Sequence, residues 1–356
     1  RIDGRDYLNF ANYNYLGLSA HPEVNAAAKA AMDQYGTSAS ASRLVAGERR
    51  VQRELEEELA QNYEVDDCVV FVSGHATNVS TIGYLFGPKD LVIHDSLIHN
   101  SILQGIQLSG AARRSFPHND SAALERILAD IRGQFERVLI VIEGLYSMDG
   151  DIPNLPAFID IKRRYKAFLM VDEAHALGVL GKTGRGSHEH FGVAGRDVDI
   201  WMGTLSKTLA SCGGYIAGDR ALVELLKYAA SGFVYSVGIS PVLAAASLKA
   251  LQIMCREPER VHTLQERGSQ FLNSMRSMGI NTGFAEGYAV IPAITGSSLN
   301  AVKLSGQLFD AGLNVQPIIH PAVEEKAARL RFFLSSTHSQ DDIDLACETV
   351  HTLMKK

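Results

Sequence analysis

Little in this chain of 356 residues ties it to nucleic acid, a membrane span or an oxidising compartment. Lys and Arg total 34 against 40 Asp and Glu, a formal net charge of −6, and the longest basic run is the three residues Lys162-Arg163-Arg164. A nucleic-acid groove therefore has no electrostatic footprint, and a small anion would have to be held locally. No apolar run approaches the roughly 18 residues that span a bilayer, and the opening Arg-Ile-Asp-Gly-Arg-Asp contains no apolar signal segment. The four cysteines, Cys68, Cys212, Cys255 and Cys347, include no C-x-x-C pair. That spacing argues against a zinc knuckle or a secreted disulfide framework and makes the cytoplasm the expected compartment. Only 10 prolines, with 46% hydrophobic and 21% charged residues, give the composition of a globular enzyme rather than a disordered or fibrous chain. The first residue is not Met, and Tyr7-Leu-Asn-Phe10 already reads as a strand entering a fold, so residues upstream are expected.

From about residue 22 to 240, short apolar runs alternate with longer amphipathic stretches, the pattern of parallel strands joined by helical crossovers. The strand candidates are Cys68–Ser73, Leu91–Ile93, Arg113–Phe116, Val138–Ile142, Phe168–Asp172, Ile200–Gly203 and Gly214–Ala217. Most are apolar at consecutive positions, as strands covered by helices on both faces require. Helices are predicted over Arg50–Tyr63 and Asp120–Phe135, then Val242–Cys255, Pro258–Met278 and from Ser339 onward. The fold class is thus α/β, with an N-terminal arm (1–20), a large domain (21–240) and a smaller C-terminal α+β lobe (241–356). In an open parallel sheet, chemistry is expected at the carboxyl ends of the strands.

Two clusters fall at such ends: Asp172-Glu-Ala-His175, and Thr204-Leu-Ser-Lys207 after the next strand. Taken alone they fit two readings. Asp172 and His175 could be a structural pair and Lys207 a solvated loop residue. They also match what pyridoxal phosphate demands: a lysine for the Schiff base, an acid beside the pyridine nitrogen, and a phosphate seat such as Ser73-Gly-His-Ala76 between a strand and a helix. Other motifs fail on spacing. Gly181-Lys-Thr183 lacks the first glycine of a P-loop, and His188-Glu-His190 lacks the i, i+4 histidines of a zinc helix, so no metal is expected.

Asp172-Glu-Ala-His175, Thr204-Leu-Ser-Lys207 with Gly213-Gly214 and Ser147-Met-Asp-Gly-Asp151 together resemble the α-oxoamine synthase family of fold-type I pyridoxal phosphate enzymes. Asn14-Tyr-Leu-Gly17, Phe116-Pro-His-Asn-Asp120, Ala328-Arg-Leu-Arg331 and Thr337-His338 extend the resemblance over nearly the whole chain. It implies a mostly parallel seven-stranded sheet between helices, and a homodimer with shared active sites. The implied reaction is a decarboxylative condensation of a small α-amino acid (glycine, alanine or serine) with an acyl thioester carried by coenzyme A or a carrier protein. By the same resemblance Lys207 is the Schiff-base lysine, Asp172 the partner of the pyridine nitrogen, and His175 the partner of the ring hydroxyl. His99, by its spacing to His118, is the histidine stacked on the cofactor; by itself it reads as a capping or surface residue. Gly74, His75, Thr204, Ser206 and Ser236 would serve the cofactor, Ser236 from the partner subunit, and Arg331 with Tyr13 and Asn14 the substrate carboxylate.

The chain departs from the family at Tyr13, where many members have Asn, at Gln52 in place of a common His, and at Ser40-Ala41 in place of Gly-Gly. Tyr13-Asn-Tyr-Leu-Gly17 and His320-Pro-Ala-Val323 lean toward serine palmitoyltransferases. An aminotransferase on the same fold is one alternative. A non-catalytic partner subunit is another, against which Lys207 argues.

Overall fold

All seven strand candidates of the first two-thirds of the chain form one sheet in the computed structural model, which describes residues 1–355. Its order is Asp67–Phe71, Gly214–Gly218, Ile200–Thr204, Phe168–Asp172, Val138–Glu143, Leu91–Asp95, Ala112–Phe116. The strands are parallel except Gly214–Gly218, which runs antiparallel to both neighbours. Five of the seven strands are buried at every position, including Val138–Glu143 and Ile200–Thr204, in accord with their largely apolar runs.

The chain divides into two compact units: residues 18–145 with 152–256, and residues 1–17 with 146–151 and 257–356. The helix Pro241–Arg256, expected in the C-terminal lobe, packs on Pro22–Tyr35 and Arg50–Tyr63 of the sheet-bearing unit. The N-terminal arm belongs to the other unit because Leu8 and Asn9 pair in parallel with Leu313 and Asn314, and Phe10 packs edge-on to Phe332 at 5.7 Å. Neither contact has a sequence signal, since both join segments some 300 residues apart.

In the second unit an antiparallel sheet runs Gln316–Ile318, Arg329–Phe333, Val290–Ile294. The helices Glu259–Ser277, Ser298–Asp310 and Gln340–Met354 belong to the same unit. The last begins in a capping box, Ser339 accepting from the Asp342 N–H and Asp342 from the Ser339 N–H. Among the described residues no helix is long and apolar enough to cross a membrane.

Candidate active site

Strand register gathers one set of polar residues at a single sheet edge. Asp172 stands opposite Glu143 and Met202, Thr204 opposite Gly214, and Phe71 opposite Gly214 from the other side, so the residues after each strand emerge together. Ser73 caps the helix Gly74–Leu85 by accepting the Ala76 N–H. As first and second residues of that helix, Gly74 and His75 have no intrahelical acceptor for their N–H groups. The helix start lies hard against the neighbouring loop: a Cβ on Gly74 would come within 2.9 Å of Thr204 Oγ1, and one on Gly214 within 2.7 Å of Gly74 Cα. Thr204 Oγ1 bonds Ser206 Oγ at 2.7 Å and the Gly213 carbonyl at 3.0 Å. Two outward N–H groups at a positive helix end beside two hydroxyls suit a phosphate dianion. Lys207, half-buried, follows in a turn in which the Ala210 N–H donates to the Lys207 carbonyl.

Asp172 is buried, and its carboxylate is satisfied from two sides: Oδ1 accepts the Ala174 N–H at 3.0 Å and Oδ2 accepts Asn78 Nδ2 at 3.0 Å. An ionised carboxylate so held suits a protonated ring nitrogen. His175 is buried two residues after Glu173. Glu173 itself turns away from this edge and accepts the Ser187 N–H at 3.0 Å and the Ser187 hydroxyl; complete burial pushes its carboxyl up to about 7 against those two donors. His99 both caps and is exposed: its Nδ1 receives the Ser101 N–H at the start of helix Asn100–Ser109. Asn78, fourth in its own helix after Gly74, is a residue that sequence reasoning passed over. Its helix buries a run of small polar residues, Thr77, Asn78, Ser80 and Thr81, so nothing in the sequence singles Asn78 out.

Ser236 lies half-buried in the loop after Ser231–Val234, between the exposed Tyr235 and Val237. It makes no hydrogen bond with the described residues of its own chain. The departures from the family pattern have local explanations. Gln52 is buried, its Oε1 accepting the Arg49 N–H at 2.9 Å and its Nε2 donating to the Ile239 carbonyl at 2.8 Å. Ser40 adopts φ 57°, the left-handed region in which glycine is unstrained. The His118-Asn-Asp120 motif serves the scaffold, because His118 Nδ1 and the Asn119 N–H bond the buried Asp95 carboxylate and Asp120 caps a helix. Gly181-Lys-Thr183 is a turn tied by the Glu189 carboxylate, which accepts from the Thr183 N–H and hydroxyl.

The smaller unit carries the second set. Its two motif arginines have different duties. Arg329, buried, pairs with Asp149 at 2.6 Å and also donates to the Met148 carbonyl. Arg331 Nη1 donates to the Ser147 carbonyl at 2.9 Å and contacts Met148 Sδ, while its Nε is buried with no hydrogen-bond partner. Its guanidinium stacks over Phe333 at 4.6 Å, Tyr13 meets the same ring edge-on at 4.7 Å, and burial depresses the arginine's pKa. Arg329 is thus committed to structure and Arg331 retains donor capacity. Both clamp Ser147–Asp149, which explains why residues 146–151 group with this unit. Asn14 contributes its carbonyl to Ser335 Oγ and to the Gly17 N–H.

Residues 5–350 match the family described as aminotransferase class I and II. The 8-amino-7-oxononanoate synthase of Symbiobacterium thermophilum is 40% identical over 345 residues, 97% of this chain and 88% of that protein. A serine palmitoyltransferase solved with pyridoxal phosphate superposes with TM-score 0.94 at 27% identity, covering 99% of this chain and 88% of that one. The 8-amino-7-oxononanoate synthase of Francisella tularensis superposes with TM-score 0.85 at 26% identity, covering 98% of both chains.

Proposed function

From the premise that the chain belongs to the class I and II aminotransferase family, within it to the α-oxoamine synthases, we propose how its own residues carry out the family's chemistry. The enzyme is a pyridoxal-phosphate-dependent acyltransferase that joins an α-amino acid to an acyl thioester with loss of CO2. The observation that carries the assignment of residues is Asp172, buried and doubly hydrogen-bonded at a strand end, with Lys207 on the loop after the adjacent strand.

Pyridoxal phosphate, when bound, accepts the electron pair released at the amino acid's Cα. Gly74 and His75 hold its phosphate by their N–H groups, and Thr204 and Ser206 by their hydroxyls. Lys207 would hold the cofactor through its ε-amine, and the same amine, when free, would take the proton from the amino acid's Cα. Asp172 keeps a proton on the ring nitrogen, His175 donates to the ring hydroxyl, and His99 covers the ring face. Arg331, assisted by Tyr13 and Asn14, orients the substrate carboxylate, which fixes the Cα bond that breaks. Ser236 completes the phosphate seat of a second copy in a homodimer; its lack of a partner within the chain supports that role.

The amino acid is a small one, and identity of 40% with an 8-amino-7-oxononanoate synthase favours alanine with a pimeloyl-type thioester, in the cytoplasm, where four free cysteines persist. A second reading, serine with a long acyl chain, is favoured by the TM-score of 0.94 to serine palmitoyltransferase. The test supplies glycine, alanine or serine with pimeloyl or palmitoyl thioesters, on coenzyme A and on carrier protein, and reads amino ketone by mass. Product from alanine and the pimeloyl donor supports the first reading; product from serine and the palmitoyl donor alone replaces it.

A further inference from the structure

Behind the exposed ring of His99 runs a buried chain of polar groups. Ser101 has no exposed surface and Asn78 almost none. Asn78 Nδ2 donates one proton to Asp172 Oδ2 at 3.0 Å and the other to Ser101 Oγ at 2.9 Å. Charge fixes which way this amide faces. Its oxygen turned toward Asp172 would set acceptor against carboxylate, so the NH2 group faces it and Oδ1 is left buried with no hydrogen-bond partner. Having accepted from Asn78, the Ser101 hydroxyl turns its own proton to His99 Nδ1, 2.7 Å away. The Ser101 N–H is directed at the same nitrogen at 3.3 Å. A nitrogen receiving two donors carries no proton.

We propose that Ser101, held by Asn78 and through it by Asp172, is a positioning residue that fixes His99 in the Nε2–H form and sets the plane of its ring. The inference deepens the reading above, in which His99 covers the cofactor ring. It makes the charge of Asp172 the reference for His99: one carboxylate orients the asparagine amide, the amide orients the hydroxyl, and the hydroxyl determines which imidazole nitrogen is basic. Nε2 is then the only ring position with a proton to give.

The decisive measurement is the 15N spectrum of histidine-labelled holoenzyme at alkaline pH, with His99 identified by the signals missing from His99→Gln. The expected result is an unprotonated Nδ1 and a protonated Nε2. A proton on Nδ1 overturns the proposal, and a protein that turns over none of the donors still reports its tautomer, so this outcome stands apart from failure of the functional reading. Kinetics supply the second arm. Ser101→Ala should lower kcat roughly ten- to a hundred-fold with cofactor content unchanged, and should have no further effect in the His99→Gln background. An equal loss in both backgrounds would show that Ser101 acts independently of His99 and would equally overturn the proposal.

Discussion

Replacing Arg331 by Lys tests the division of labour between two arginines one strand-turn apart. Arg331 spends Nη1 on the Ser147 carbonyl and keeps a buried Nε without a partner, an arrangement that only a planar guanidinium provides. An ammonium is a single point charge: it can keep the Ser147 carbonyl or reach a carboxylate, and it gives up the stacking on Phe333. Losing one charge-assisted hydrogen bond costs about 1.5–3 kcal/mol, or roughly 10- to 150-fold in the amino-acid Kd. The assay is a titration of holoenzyme with alanine, followed in the cofactor's visible absorbance, with melting temperature measured alongside. Arg329→Met should behave in the opposite way. It strands Asp149, 4% exposed, as a buried unpaired charge, a loss of about 3–5 kcal/mol in stability, while the amino-acid Kd of the folded enzyme stays near that of the parent. Unchanged alanine binding in Arg331→Lys, or weakened binding with normal stability in Arg329→Met, would refute the assignment of the two arginines.

Lys207→Ala should abolish the covalent cofactor link, checked by borohydride reduction and peptide mapping of the parent enzyme; a pyridoxyl group on another lysine would move the site. Asp172→Asn should retain cofactor yet lose turnover by orders of magnitude, because a neutral amide cannot hold the ring proton and must turn its NH2 toward the Asn78 amide or the Ala174 N–H. Near-normal turnover would reduce Asp172 to a strand-end structural residue. Glu173 gives a stability signature with a defined sign. Its folded pKa of about 7 exceeds the ordinary 4.5, so the native state binds the extra proton between those values; its contribution is full below pH 4.5 and is lost as pH rises through 7, on the order of 3 kcal/mol in all. Thermal melts of the parent and Glu173→Gln from pH 5 to 8 should therefore show the variant gaining on the parent as pH rises, and a constant difference would mean that Glu173 is charged throughout.

The sheet, and the place of Lys207 on a loop at its carboxyl edge, were legible in the primary structure because their signals are local. A strand buried on both faces must be apolar at consecutive positions, so Phe168–Asp172 and Val138–Glu143 announce themselves within five or six residues. Placing Asp172, His175 and Lys207 after such runs follows from the geometry of parallel sheets. The helix Arg50–Tyr63 was likewise written in its own periodicity. What the tertiary structure alone decided depends on pairs distant in sequence. It reversed the direction of Gly214–Gly218, drew residues 1–17 to Leu313–Asn314, and attached Pro241–Arg256 to the sheet-bearing unit. It also separated Arg329 from Arg331, which share a motif and a strand, by giving Asp149 to one and leaving the other a buried, unpartnered Nε. The path from Asp172 through Asn78 and Ser101 to His99 belongs to this second class. Hydrogen bonds constrain distance and direction between atoms, and no spacing along the chain specifies either until the helices that carry Asn78 and Ser101 are packed together.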